Sequence, residues 1–391
     1  MSDGGGRSGS GEAGDRSAPA NADAEPTGGF AGVLTRRRLT IGGTILVILG
    51  LIVAVREVDG RAVAAEVSSA DPLFVAAAVA VYAISWPLRG RRYRDVLTTM
   101  GHRNGTAFLT LAVFVSQTAN LAIPARIGDA VRAYVVNTRA VPYTAGFASL
   151  AVERVFDLAT IAVLAGAATA WLVVGGDATP LRIAAETGGA RTAFIAAAVV
   201  STATVGVGVV VVTSARIDHG LGTRLRAFAD GSPRLEALLE SVLGFVGDVQ
   251  LVARQPRALA SIGGTSLLVW TLDVLTAVLV LAALESGLTF GSSLAVGTLA
   301  VSVGNLAKVL PLSQGGVGLY EAAFTALVVG LTPVGPSTAL AAAIVDHALK
   351  NGVTLVGGAG AVTALGISLS DAAEESRTAR DTGNFLGSPK R

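Results

Sequence analysis

Nine long apolar stretches dominate this chain, at roughly 39–56, 73–88, 107–123, 145–174, 191–213, 258–284, 292–311, 317–332 and 337–366. A helix needs about 20 apolar residues to cross the ~30 Å hydrocarbon core of a bilayer, and most of these stretches come near or exceed that length. Lipid offers the backbone no hydrogen-bond partner, so such stretches form helices rather than open sheet. The pattern predicts an all-α polytopic membrane protein. Composition agrees: 51% of the 391 residues are hydrophobic and 15% are charged, against about 25% charged in a soluble domain. A soluble enzyme, a nucleic-acid module and a disordered scaffold are all disfavoured. No cysteine is present, which removes disulfides and thiol chemistry. The three histidines, His102, His219 and His347, are too far apart in sequence to suggest a metal cluster. No cofactor, metal site or nucleic-acid partner is expected, and the net charge of +2 implies no polyanion.

Charge patterning sets the organisation. Residues 1–35 open with a Gly/Ser/Ala/Asp-rich run and read as a disordered cytoplasmic tail. Residues 36–368 form the membrane domain, and 369–391 a loose C-terminal tail that leaves no room for a soluble domain. Arg36, Arg37 and Arg38 precede the first stretch and argue for a cytoplasmic start. The loop 89–103, with Arg89, Arg91, Arg92, Arg94 and Arg103, reads as inside, while 56–72 and 175–190 read as outside. The linker 214–257 is basic, reads as inside, and contains an amphipathic piece around Leu235–Val242. An inside loop at 89–103 and an outside link at 175–190 require an odd number of crossings between them. The simplest solution sends 107–139 in and back, broken at Ile123-Pro124, with 145–174 as the net crossing. The same parity makes 285–335 a second in-and-out unit, broken at Leu310-Pro311. Both termini then lie in the cytoplasm.

The two broken units resemble each other. Asn120-Leu121-Ala122, Pro124, Gly128 and Asp129 match Asn305-Leu306-Ala307, Pro311, Gly318 and Glu321. Further along, Glu153-Arg154 with Asp157 matches Asp346-His347 with Lys350. Opposite loop charges make these two inverted repeats, about 73–213 and 258–366, each with a broken, re-entrant helical hairpin.

Ionisable groups inside the membrane are the strongest functional signal, since each costs about 2.5–3.5 kcal/mol at mid-span before partners are counted. Asp346 and Lys350, four apart, pair on one helix face, and Glu153 and Asp157 share another. Asp129 is within local reach of Arg126 and Arg132. Arginine matches phosphate oxygens as a planar fork, lysine adds a point charge, and glycine-rich breaks bare backbone N–H groups at a half-helix N-terminus. The candidate substrate-binding set is Asn120, Arg126, Asp129, Arg132, Glu153, Arg154, Asp157, Asn305, Lys308, Gln314, Gly315, Gly316, Glu321, Asp346 and Lys350. Arg126 and Lys308 are expected to contact a headgroup phosphate, and Asp129 and Glu321 to orient those cations or bind an amine. The reading includes no catalytic or metal-binding residues.

Three motifs are similar to the signature of the lysylphosphatidylglycerol synthase transmembrane (flippase-like) family. They are Asn120-Leu121-Ala122-Ile123-Pro124-Ala125-Arg126-Ile127-Gly128-Asp129-Ala130-Val131-Arg132, Glu153-Arg154-Val155-Phe156-Asp157-Leu158, and Leu310-Pro311-Leu312-Ser313-Gln314-Gly315-Gly316-Val317-Gly318-Leu319-Tyr320-Glu321. The resemblance covers about 40–366. It implies a flippase that moves a phospholipid or a polyprenyl- or dolichyl-phosphate sugar between leaflets of the plasma membrane, supporting envelope lipid or surface-glycan assembly. The implied partners are the lipid or lipid-linked glycan itself, and a glycosyltransferase or a second copy of the chain. The synthases continue into an aminoacyl-transferase domain after the last span, whereas this chain stops about 25 residues later. The implied protein is a stand-alone member in which lysyl transfer itself is not expected, and no enzyme activity is expected of it. Two other classes compete: a membrane enzyme acting on a lipid-linked sugar, which the lack of an Asp-x-Asp pair disfavours, and an ion-coupled small-solute carrier using the same acids.

Overall fold

The computed structural model describes residues 59–123, 128–174, 206, 233–308 and 314–368. The predicted stretches 39–56 and 191–213 (Gly206 apart), both predicted tails, and the break residues 124–127 and 309–313 lie outside the described residues. The described part contains ten α-helices, one 3-10 turn and no strand. In chain order these are α1 Gly60–Ser69, α2 Pro72–Thr99, α3 Thr106–Ala122, α4 Gly128–Asn137, α5 Tyr143–Val174, α6 Pro233–Ala253, α7 Pro256–Ala283, α8 Phe290–Ala307, α9 Leu319–Leu331 and α10 Pro336–Leu365, with the 3-10 turn at Gln314–Gly316 between α8 and α9. Five of them, α2, α5 (over Tyr143–Leu172), α7, α8 and α10, are long and apolar enough to cross a bilayer.

Local chemistry starts and stops these helices. Asp59, Asp71 and Thr289 cap α1, α2 and α8, each side chain accepting a backbone N–H two or three residues on. Proline at the first position opens α2, α7 and α10, where a missing N–H costs nothing. Gly366, at φ 63°, ends α10 in the left-handed conformation.

Two predicted loops turn out to be helical. The outside loop 56–72 contains α1, too short and polar to show as an apolar run. The inside loop 89–103 is largely the second half of α2, which continues past Pro87 to Thr99. The proline removes one helical hydrogen bond, but its restricted φ fits the helix, and tertiary packing holds the rest. Tyr93, Val96 and Leu97 are fully buried there.

Helix α7 is the spine. It runs along α2 and also touches α5, α8 and α10. One apolar core, including Leu281, Leu299, Phe324 and Leu327, joins α7 to α8, α9 and α10. A second, including Tyr93, Leu97, Leu109 and Val135, joins α2, α3 and α4 to α5 and the end of α10. Leu349 packs against both.

The chain doubles back after α3. Gly128 lies so close to α3 that an added Cβ would sit 2.0 Å from the Ser116 carbonyl oxygen. At the far end, the Arg139 guanidinium lies 4.8 Å from the centre of the Phe108 ring. The two limbs are therefore antiparallel, and at 17 and 10 residues they rise only about 25 and 15 Å. The limbs of the second pair, α8 and α9, have 18 and 13 residues, or about 27 and 20 Å. Gly304 on α8 gives the Tyr320 ring of α9 room to pack against it.

The edges of the two breaks touch. Gly315, at φ 64°, sits against Leu121 near the end of α3; a Cβ there would lie 2.8 Å from the leucine side chain. Helix α3 also packs along α10, with Phe114 over Gly357 and Thr118 over Gly358. The Thr118 hydroxyl donates to the Thr354 carbonyl at 3.0 Å.

Candidate functional site

The helices also bury two charge networks. The first is built from α2, α4, α5 and α7. Arg132 on α4 donates to Glu153 on α5, and its guanidinium stacks 4.1 Å from the centre of the Tyr93 ring. Arg92 on α2 donates to Asp157 at 2.5 Å and to Ser266 at 2.9 Å, and lies 3.7 Å from Glu153. Trp270 on α7 donates its indole N–H to Asp157 at 2.9 Å. Two guanidiniums thus face two carboxylates, all largely shielded from solvent. Glu153 and Asp157 meet the same cation because four residues is about one helical turn.

The second network joins α7, α8, α9 and α10. Lys350 Nζ lies 2.9 Å from Asp346 and 3.2 Å from Asp273. Tyr320 donates its hydroxyl to Asp346 at 2.5 Å. Asn305 donates to Asp273 at 3.4 Å. The Lys308 ammonium stands 4.1 Å from the centre of the Tyr320 ring, and its stem lies across Gly316. Glu321 uses both oxygens: one accepts the Gly318 N–H at 2.6 Å, the other lies 2.6 Å from His347 Nδ1.

The glycines of the break are required by shape. Gly315, Gly316 and Gly318 have φ of 64°, 77° and 86°, a region that side-chain-bearing residues rarely adopt. A Cβ on Gly316 would also strike Lys308 Cγ at 2.3 Å. The Gly318 N–H, at the start of α9, is satisfied by the chain's own Glu321 instead of being bared for an anion. A carboxylate three residues into a helix reaches back to the amide at its start, and the positive end of the helix dipole favours it there.

The remaining predicted residues fall as follows. Asp129 pairs with Arg154 at 3.4 Å near the protein surface, not with Arg132. Asn120 accepts the Gly128 N–H at 3.0 Å and so ties the first hairpin together. Gln314 begins the 3-10 turn. Arg126 lies outside the described residues. The candidates thus divide: Arg132, Glu153 and Asp157 meet in the first network, and Asn305, Lys308, Glu321, Asp346 and Lys350 in the second.

Sequence reasoning left Arg92, Asp273, Tyr320 and His347 out of the site. Arg92 was hidden in a basic run that looked like a loop. Asp273 and His347 carried a usable signal, since each is a polar residue deep in an apolar stretch.

The family described as the lysylphosphatidylglycerol synthase TM region matches residues 40–358 of this chain. A Haloferax volcanii protein named Glycosyltransferase AglD is 47% identical over 373 residues, which is 91% of this chain and 59% of that relative. The chain therefore spans about three-fifths of the length of the curated relative it matches. The name corrects one expectation. The expectation that the chain is not an enzyme is overturned by a relative, 47% identical over the 373 aligned residues, that is named a glycosyltransferase.

Proposed function

The chain belongs to the family of the lysylphosphatidylglycerol synthase TM region and is a multi-pass membrane protein, and from that premise we propose that it translocates a phospholipid or a polyprenyl- or dolichyl-phosphate sugar between leaflets in support of glycosyl transfer. One observation carries this reading: residues at the edges of the two breaks touch, Gly315 against Leu121, in a protein that also buries two charge networks. A polar headgroup needs such a place, because hydrocarbon alone excludes it. Return limbs too short to span the core support treating the hairpins as re-entrant, inverted copies. In this reading Arg126 and Lys308 hold the headgroup phosphate, and the lipid tails stay in the bilayer. The protein sits in the plasma membrane with both termini in the cytoplasm.

The test is reconstitution of the full chain in vesicles holding fluorescent phosphatidylglycerol, with dithionite quenching of the outer leaflet as readout. Arg126→Ala and Lys308→Ala are expected to slow the second quenching phase at least tenfold. Parental rates in both variants, with normal insertion, would remove the proposal. Mass spectrometry of lipids that co-purify in mild detergent would identify the cargo class.

A second reading is favoured by the relative's name: a membrane enzyme acting on a lipid-linked sugar. New glycosylated product from purified chain and a polyprenyl-phosphate sugar, with no lipid movement in vesicles, would put this reading first.

A further inference from the structure

The two networks differ in charge balance. The first sets Arg92 and Arg132 against Glu153 and Asp157. The second contains three carboxylates, Asp273, Glu321 and Asp346, and two ammoniums, Lys308 and Lys350. Among the described residues, and with His347 neutral, it holds one negative charge in excess, within a membrane core that penalises net charge. His347 is 1% exposed. Its Nδ1 faces Glu321, while its Nε2 is buried and has no hydrogen-bond partner among the described residues. Asp346 Oδ1, on the adjacent residue, is likewise buried without such a partner.

We infer that the Glu321–His347 pair is a proton-binding site, and that its occupancy sets the conformation of the glycine-rich turn Gly315–Gly318. Neutral His347 donates Nδ1–H to Glu321, which leaves the lone pair of the buried Nε2 without a hydrogen-bond partner among the described residues. A proton arriving from water binds there, breaks no existing hydrogen bond among them, turns imidazole into imidazolium and brings the charges of the described network to zero. The pair then changes from a hydrogen bond to an ion pair. Glu321 also holds the Gly318 N–H, so the change reaches the backbone of the glycine-rich turn directly.

The groups around His347 carry charges of both signs. Two acidic side chains, Glu321 and Asp346, and one basic side chain, Lys308, are the charged neighbours. Beyond them, Lys350 sits between Asp346 and Asp273. The Tyr320 ring, centred 4.8 Å from the imidazole, gives its hydroxyl proton to Asp346. The consequence for transport, a proton as the energy source, rests on the translocation reading above. The proton site itself is tested with no lipid moved.

The chain has no cysteine, so spin labels enter cleanly at Ala122→Cys and Val317→Cys, on exposed positions beside the two breaks. Electron–electron distances are measured in detergent from about pH 8 to pH 5, the range over which histidine titrates. Imidazole 15N spectra of the full chain are followed in parallel, with the His347 signal identified by its loss in His347→Gln. The inference expects the His347 resonance to titrate, the label distance to shift by several ångströms with the same midpoint, and His347→Gln to abolish the shift. Glu321→Gln, which keeps an acceptor for Gly318, is expected to move the midpoint by at least one pH unit and also serves if His347→Gln fails to fold. A His347 resonance that does not titrate, a distance shift that survives His347→Gln, or a midpoint unmoved in Glu321→Gln would overturn the inference. Proton binding without lipid flipping would instead sink the translocation reading alone.

Discussion

Replacing Lys350 with methionine keeps the stem and removes the one cation that lies between two buried carboxylates. The Lys350, Asp273 and Asp346 side chains are 4%, 7% and 0% exposed. Removing one partner of a buried pair costs about 3–5 kcal/mol, because the other charge is stranded. Here two carboxylates lose a partner at once, so the loss belongs at the upper end, about 4–5 kcal/mol. Asp273→Asn is the informative comparison. It leaves Lys350 paired with Asp346 and replaces a charge-assisted contact with a neutral one, for about 1–2 kcal/mol. The difference of about 3 kcal/mol is more than a hundredfold in the ratio of folded to unfolded chain. The assay is unfolding in mixed micelles at rising dodecyl sulfate, followed by helical circular dichroism. Equal losses in the two variants, or a Lys350→Met chain within about 1 kcal/mol of the parent, would refute the claim that this lysine neutralises both acids.

Three further outcomes are expected. Gly358→Val drives a side chain into Thr118, whose Oγ1 lies 1.8 Å from the position of an added Cβ, so it should destabilise by about 1–3 kcal/mol in the same assay, whereas Gly360→Ala, with open space around it, should be neutral or gain up to about 1 kcal/mol. Arg132→Lys keeps the charge but loses the flat contact with Tyr93 and the fork toward Glu153; a loss of about 1–2 kcal/mol by thermal melting would agree with that stacking. Asp248, on α6 outside the candidate spans, has its carboxyl pushed above the usual range by partial burial, with nearby His102 acting against the rise. At low pH it is protonated in both folded and unfolded chains; as pH rises through the carboxylate range the unfolded chain releases its proton first, so stability falls and the loss is complete by neutral pH. Asp248→Asn should therefore melt higher than the parent near pH 7 and show no such advantage near pH 4.

The helical spans were legible because lipid leaves a helix few alternatives. The stretches predicted at 258–284 and 337–366 are α7, Pro256–Ala283, and α10, Pro336–Leu365. The pairing was legible only where it was local: Asp346 with Lys350 is an i, i+4 contact that spacing alone suggests. Spacing also suggested Asp129 with Arg132, and there tertiary contacts decide otherwise. Arg132 turns into the interior toward Glu153 and the Tyr93 ring, while Asp129 lies near the surface and meets Arg154. Arg92 was illegible for a related reason. An arginine beside Arg91 and Arg94 looks like a loop charge until α5 brings two carboxylates to it, and nothing near residue 92 encodes that meeting.

Matching positions in the two hairpins also perform different work, and that difference locates where the protein can change state. Asn120 spends its carbonyl on the Gly128 backbone and so fastens its own hairpin. Asn305 instead reaches across to Asp273 on α7. The first network pairs two cations with two acids and braces four helices, although Arg92 Nε, Arg132 Nε and the Tyr93 hydroxyl are buried there without hydrogen-bond partners among the described residues. The second has an unequal charge count, a buried imidazole nitrogen and a buried carboxylate oxygen without partners among the described residues, and three left-handed glycines beside them. A buried polar atom without a partner raises the free energy of the state that holds it, by about 1–3 kcal/mol each. Any state that satisfies those atoms is lowered by comparison, and what sets the second network apart is its uneven charge count among the described residues, which the proton site proposed above would relieve.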